Sequence, residues 1–474
     1  MSGWGTIFNT TRTMLRQHAE QLAQLQATIA SGARLRKASD GPADAYRLLG
    51  LRAESHSLQT YGENLERVGN SLDVASSMLS KVSETLGRVR ELVAQGVSGT
   101  YSAGNRKPIA DEINTLLEQL ASLANTEYSG QYLFGGIHTG SDPYVAEYDN
   151  GRIVRVAYAG SRQTNMVPVA PGIEYPGVLV GDAIFRGDQR QVPQFLGRTG
   201  AAAGAGTSSV RGDVWLTVSH ESTTYLGASG IAAGVSSAAG DTILGNGHTL
   251  TIDEPGKTLR LDGGPEVAFS GTETDLVVAN ADGDIVYVDV TSLGAGFVGT
   301  VNIQTTGSLS IDDGASQTAL DFADANLAVT DSVTGRVLYV DCTGIERAGL
   351  EPVRTPGTYD MFGALVTIRD LMLNTRNMSE NEQTALLNRM VDAVNEVARG
   401  LTSAETSVGA RIGVLANLGE TLESLQGHTD DQAAFLENAD IVQVATELAR
   451  EQTLYEMTLA SVSRLLGLSL FDYL

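Results

Sequence analysis

Residues 58–93 read LQTYGENLERVGNSLDVASSMLSKVSETLGRVRELV. Within them Leu58, Tyr61, Leu65, Val68, Leu72, Ala75, Leu79, Val82, Leu86, Val89 and Val93 alternate three and four residues apart without a slip. A helix lying alone on a globular core drifts towards a 3.6-residue period. A strict 3.5-residue period keeps its apolar row on one face only when helices wind around each other, so the stretch predicts a coiled-coil seam. A single helix over 43–97 would be about 80 Å long at ~1.5 Å per residue. A compact globule of the whole chain would have a radius of gyration of about 23 Å, so the sequence predicts a rod.

The flanking sequence extends this pattern. Ser39 or Asp40 can cap the long helix, with Pro42 in its first turn. Upstream, Leu15, His18, Leu22, Leu25 and Ile29 repeat the 3,4 spacing. Downstream, a turn at Gly99–Gly104 leads into a third helix carrying Ile109, Ile113, Leu116, Leu120 and Leu123, expected to run antiparallel to the second. Near the other end Leu387, Met390, Val394, Val397, Leu401, Ala404, Val408, Arg411, Leu415, Leu418, Leu422 and Leu425 form a matching row, which Gly427-His428 is expected to end. Gly409, Gly413 and Gly419 lower helix propensity there. A last row runs through Ile441, Val444, Leu448, Gln452, Tyr455, Leu459, Val462 and Leu466 to the apolar ending SLFDYL.

The centre differs in kind. Of 53 glycines, 31 lie in residues 141–358, with nine of the 11 prolines. The net charge of −24 divides as 0 over 1–140, −14 over 141–358 and −10 over 359–474. From Tyr132 the hydrophobic period changes to two. Segments 153–158, 214–218, 249–252, 259–261, 285–290, 301–303 and 337–340 read as strands, and Asp149-Asn150-Gly151 as a hairpin turn. The Ala/Gly/Ser run at 200–209 reads as a flexible joint.

Several functions are excluded on this basis. A strongly acidic chain is not built to neutralise phosphates, so no nucleic-acid partner is expected. No run approaches 18 apolar residues, and the first residues lack a secretory leader's apolar core. The lone Cys342, beside Asp341, reads as a buried strand residue. Six scattered histidines supply no ligand spacing, and no nucleophile elbow or phosphate loop occurs. Asn280-Ala281-Asp282-Gly283-Asp284 resembles part of a calcium loop but lacks its distal glutamate; it and Asp312-Asp313-Gly314 read as turns, and Gly245-Asn246-Gly247 as a hairpin. The reading is a non-enzyme without cofactor or metal.

Three stretches resemble a known family. ATIASGARLRKASDGPADA (27–45) is similar to the segment after the first helix of the flagellin superfamily, although Arg36-Lys37-Ala38 stands where an Asn-Arg-Pro-like string is usual. NTEYSGQYLFGG (125–136) and the ending LASVSRLLGLSLFDYL (459–474) resemble its hook-associated protein 3 branch, the hook–filament junction proteins. The resemblance covers both flanks and the hairpin near 144–158, and nothing recognisable between 186 and 356. It implies an extracellular subunit of the bacterial flagellum, exported unfolded by the type III apparatus without a cleavable signal. A cytoplasmic chaperone would guard it before export. It would assemble with itself, with hook-associated protein 1 and with flagellin, and not with a membrane. A flagellin proper and a fibrous adhesin with a β head are the alternatives.

The expected fold is α+β: an elongated antiparallel coiled-coil bundle from both chain ends, with an inserted all-β head of one or two sandwich- or barrel-like units. Residues 1–42 and 429–474 are expected to be terminal helices that are disordered in the monomer. Coiled-coil helices would occupy 43–140 and 359–428, a β-hairpin extension 141–185, and the head 186–358. Leu22, Leu25, Ile29, Leu448, Leu459, Leu466, Leu470 and Phe471 are the expected interface anchors, because apolar rows beyond helix breaks have little local chain to cover them.

Overall fold

The computed structural model describes residues 3–98, 103–376 and 378–471. Both chain ends are helical: α1 (Gly3–Ser31), α2 (Pro42–Val97) and α3 (Ala103–Ala124) precede an all-β centre, and α4 (Met361–Leu373), α5 (Glu380–Glu437) and α6 (Ile441–Phe471) follow it. This is the expected α+β arrangement, a helical bundle drawn from both ends with an inserted β head. No helix among the described residues is long and apolar enough to cross a membrane. The backbone divides into two compact units.

The first unit comprises residues 1–72, 166–177 and 410–474. In it the start of α2 and the end of α5 run antiparallel. Arg52 binds both carboxylate oxygens of Glu437 at 2.6 and 2.7 Å, and Ser55 Oγ donates to Asp430 at 2.6 Å. Further along, Leu58 and Leu422 share a core with Tyr61, Leu65 and Leu418. A small hairpin, 166–170 with 173–176, closes this core through Ala170, and Asn64 holds the Pro168 carbonyl at 2.9 Å. The expected hairpin extension at 141–185 is therefore two separate hairpins.

α5 passes straight through Gly427-His428, which corrects the expected helix end. The apolar row swerves there: Leu425 is exposed, and the buried face continues through Thr429 and Ala433. An interior glycine costs a helix about 1 kcal/mol, too little to stop one that has a packed face. The break falls instead at 438–440, where Asp440 accepts from the backbone of Val442 and Gln443 and caps α6.

The second unit comprises residues 73–165 and 178–409. The α2 row from Ala75 to Val93 is at most 3 % exposed. At ~1.5–3 kcal/mol per buried aliphatic side chain, it is the largest apolar contribution on this helix. Helix α3 meets α2 through the Arg88–Glu112 ion pair at 2.8 Å. Its closest backbone neighbour, however, is α4, where Arg369 donates to Asn114 at 2.8 Å. Residues 359–428 are not one helical segment: Asn374 ends α4 in the left-handed region, and Ser379 with Glu382 forms the capping box of α5.

The stretch 125–136 makes a two-residue hairpin, Glu127-Tyr128 on Gln131-Tyr132, with Ser129 and Gly130 at φ +52° and +74°. A Cβ on Gly135 would lie 2.3 Å from the His138 carbonyl oxygen, and one on Gly136 2.2 Å from that of Ser161, so the glycine pair admits no side chain. Strands β1 (144–149) and β2 (152–158) follow as the expected hairpin, turning at Asn150-Gly151 with both φ positive. Phe134, Tyr144, Phe185 and Phe362 pack edge-on or tilted against one another below it, with ring centroids 5.0–6.2 Å apart.

The head is built on one long antiparallel sheet. Its strands β3 (212–226), β4 (249–253), β5 (258–261), β8 (298–310) and β11 (349–355) lie in the order β5-β4-β8-β3-β11, with short strands at both margins. Two three-stranded sheets cover it: 232–233 with β6 (276–279) and β7 (285–289), and 202–203 with β9 (327–330) and β10 (337–341). Each encloses its own apolar core. Every strand read from the sequence is present; β6, β9 and β11 were not read. The 200–209 run is not a joint: Ala202-Ala203 pairs with β10, and Ser208 is buried and accepts from Tyr339 N at 3.0 Å. Gly245–Gly247 is a bend, not a hairpin.

Gly409 and Gly413 are exposed inside α5, and a methyl group added at either meets nothing within 4 Å. Each Gly→Ala change is expected to raise unfolding stability by about 0.5–1 kcal/mol, read as a higher midpoint in thermal circular dichroism.

Candidate subunit interface

The terminal helices are defined by two breaks stitched to each other. Gly32, at φ +69°, ends α1; its carbonyl accepts from Ala439 N at 2.9 Å, and Arg34 N donates to the Glu437 carbonyl at 2.7 Å. The Arg34 guanidinium reaches the Leu436 carbonyl at 3.1 Å and Asp44 at 2.9 Å. Asp40 accepts from Arg36 N and Lys37 N, and these backbone bonds hold its carboxyl below the usual carboxylate range. The helix-breaking sequence ASGARLRKASDG is thus a clasp that meets the 436–440 break.

Beyond the clasp, α1 and α6 pair with each other. The half-buried positions of α1 include Leu15, His18, Leu22, Leu25 and Ile29, as its spacing predicts. Those of α6 are Val444, Leu448, Glu451, Tyr455, Thr458 and Val462. This places Glu451 and Thr458 inward where the sequence row had Gln452 and Leu459. His18 then bonds Glu451 across the seam, a polar contact that the hydrophobic pattern could not show.

Of the expected anchors, Leu22, Leu25, Ile29 and Leu448 line this shared stripe, while Leu459 is 43 % exposed on the outer face near Leu454 and Met457. The side chains of Leu466, Leu470 and Phe471 lie outside the described residues. Both helices are formed here, and each covers one stripe of the other.

One polar cleft of the head, about 810 Å³, contains His248, whose Nδ1 lies 2.7 Å from Asp262 and whose Nε2 lies 2.9 and 3.0 Å from the carbonyls of Leu244 and Glu346. Both ring nitrogens face acceptors, and these bonds raise the imidazole pKa despite burial. The ring is a clamp with no free nitrogen for proton transfer. Cys342 is fully buried, and burial together with Asp324, Asp341 and Asp321 pushes its thiol up to about 12. Asn280 Oδ1 accepts from Asp282 N and Asp284 N, which makes 280–284 an Asx turn. Among the described residues no group of three His, Cys, Asp or Glu could hold a metal.

The model of the bacterial flagellin N-terminal helical region matches residues 6–139. This flank is similar to that region. Its match begins within α1, spans α2 and α3, and ends just past the Gly135-Gly136 pair. Among solved structures, FlgL of Xanthomonas campestris is similar at 18 % identity and TM-score 0.41, over 81 % of this chain and 99 % of that one. Flagellar hook associated protein-3 of Legionella pneumophila is similar at 19 % identity and TM-score 0.41, over 81 % and 97 %. No curated protein sequence matches.

Leu448→Ala on the shared stripe is expected to destabilise the α1–α6 pair by about 1–2 kcal/mol. Leu459→Ala should leave it within ~0.5 kcal/mol of the parent, both read by hydrogen exchange of the terminal helices. A second expectation concerns Asp213, whose carboxyl burial pushes up to about 6 even though Arg354 opposes the shift; Glu396 adds to it. A raised acid pKa means that the native state binds the proton more tightly, so the cost of ionising Asp213 sets in as the pH rises past the ordinary value of 3.8 and is full above about 6. Asp213→Asn should therefore stabilise by about 1–2 kcal/mol at pH 7, with the gain fading as the pH falls below about 6 and gone only below about pH 4, in urea titrations at pH 7 and about pH 4.

Proposed function

We propose that this chain is a structural subunit of the bacterial flagellum that forms the hook–filament junction, polymerising through α1 and α6 and joining hook-associated protein 1 to flagellin. The observation that carries the reading is the flagellin-type region over 6–139, whose α1 is paired with the chain's own C-terminal helix. The motifs at 125–136 and 459–474 favour the junction over the filament. The subunit is extracellular once assembled, having left the cell through the type III apparatus with a cytoplasmic chaperone on its C-terminal helix.

Assembly then completes the folding of the ends. Among the described residues α1 and α6 pack on each other, and the stripe they share is only half-buried. Leu454, Met457 and Leu459 remain exposed on α6, and Val442 is 77 % exposed near its start. A lone pair of helices this exposed is marginal in water. Neighbouring subunits cover the remaining apolar face, and the ordering cost is met at the moment of addition.

Two measurements test this. A null strain should shed flagellin into the medium; absent or shortened filaments with no shed flagellin would instead identify a filament subunit. Circular dichroism of the purified monomer, with and without residues 1–31 and 441–474, should show less helix lost than those residues would carry if fully helical. A full loss would overturn assembly-coupled ordering.

A further inference from the structure

The two covering sheets of the head repeat one another. Asp275-Leu276-Val277-Val278-Ala279 and Ile285-Val286-Tyr287-Val288-Asp289-Val290-Thr291 correspond to Asn326-Leu327-Ala328-Val329-Thr330 and Val337-Leu338-Tyr339-Val340-Asp341-Cys342-Thr343. Leu276 faces Val288 as Leu327 faces Val340, and Ala279 faces Ile285 as Thr330 faces Val337. The third strand also recurs. Gly230-Ile231-Ala232-Ala233-Gly234 sets Ala232 on Asp289, and Gly200-Ala201-Ala202-Ala203-Gly204 sets Ala202 on Asp341.

Details that no general β pattern requires recur with it. Gly230 and Gly200 have φ +80° and +88°, and a Cβ at either would lie 2.0 or 1.8 Å from a backbone carbonyl oxygen, of Ser292 or Gly344. Gly234 N donates to Tyr287 O at 2.8 Å, and Gly204 N to Tyr339 O at 3.0 Å. Ser236 N donates to Asp275 Oδ1 at 2.8 Å, and Gly206 N to Asn326 Oδ1 at 2.6 Å. Thr291 donates its N–H and hydroxyl to Asp289, and Thr343 does the same to Asp341.

The correspondence extends through the main sheet. In one copy β4 pairs with the start of β8 and forms a hairpin with β5, which takes 267–268 at its margin. In the other, β3 pairs with β11 and with the end of β8, which takes 318–319 at its margin. The difference lies in the hairpin loop. Residues 254–257 join β4 to β5, whereas the whole first copy stands between the paired Ser219 and Ser308. The β3–β8 register shifts at Thr306/Gly307, where the two copies meet. Their cores are separate clusters, with Val286 in one and Leu338 in the other. Leu244 crosses from the inner stretch into the outer core; beside it Leu244 N donates to the Glu346 carbonyl and Ala348 N to the Thr242 carbonyl, both at 2.8 Å, His248 meets the Glu346 carbonyl at 3.0 Å and Arg347 pairs with Asp284 at 2.6 Å.

We infer that the head is one β unit inserted into a hairpin of a second unit of the same design, and that the inner copy, residues 221–306, opens and closes as a cooperative unit of its own. Its chain is continuous and its core is its own, the conditions under which a sub-structure unfolds without its surroundings; two shared strands, Leu244 and the polar contacts to 346–348 tie it to the outer copy.

Hydrogen exchange read by mass spectrometry on the full-length chain tests this. Val286→Ala should speed exchange at 229–234 and 249–303 by at least about tenfold, while 199–204 and 327–341 keep parental rates. Leu338→Ala should do the reverse. Val286→Asp supplies a stronger perturbation, expected to abolish protection in the inner copy alone. Loss of protection in both copies from a single substitution, or in neither copy with any of the three, overturns the inference.

Discussion

The structure depends on pairing between chain segments far apart in sequence. Leu58 and Leu65 near the start of α2 share a core with Leu422 and Leu418 near the end of α5. A two-helix contact of that kind cannot form until both ends of the chain are present. Within the second unit the β segment is an insert whose two ends are close together: Gly187 N donates to the Tyr359 carbonyl at 2.8 Å. The loop-closure cost of such a long connection grows only slowly with length, so the insert can be large without undoing the helical pairing.

The same geometry recurs one level down. The outer β unit opens a hairpin between β3 and β8 and admits the inner unit there, as the helical flanks admit the outer one. In each case the host presents two antiparallel neighbours, and the guest attaches through them. The acidic charge concentrated in 141–358 suits a part that must stay soluble and not associate laterally, while the charge-balanced first 140 residues suit close helix packing.

The helix breaks have a comparable role in the first unit. A glycine in the left-handed region, an arginine that bonds the Leu436 carbonyl through its side chain and the Glu437 carbonyl through its N–H, and two aspartate caps fix the 32–44 and 436–442 segments by hydrogen bonds rather than apolar area. The terminal helices therefore begin from a fixed point, although their own shared stripe is only half-buried. Val442, Leu454, Met457 and Leu459 of α6 remain exposed.

The sequence by itself determined whatever has a short period. The 3.5-residue row of α2 appears in the structure at nearly every position, and the strands read from alternation are all present, because burial acts on each side chain at a fixed spacing. The motif at 125–136 was legible for the same reason: Ser129-Gly130 and Gly135-Gly136 are demanded by local φ values and carbonyl approach. Only the tertiary structure decided the rest. α5 continues past Gly427 because Thr429 and Ala433, which are not strongly apolar, find cover on it. Leu459 faces outward and Glu451 inward because His18 stands across from Glu451. The 200–209 run is a strand because β10 offers it an edge. In each case the deciding partner is hundreds of residues away or on another strand, and a pattern confined to neighbouring positions carries no information about it.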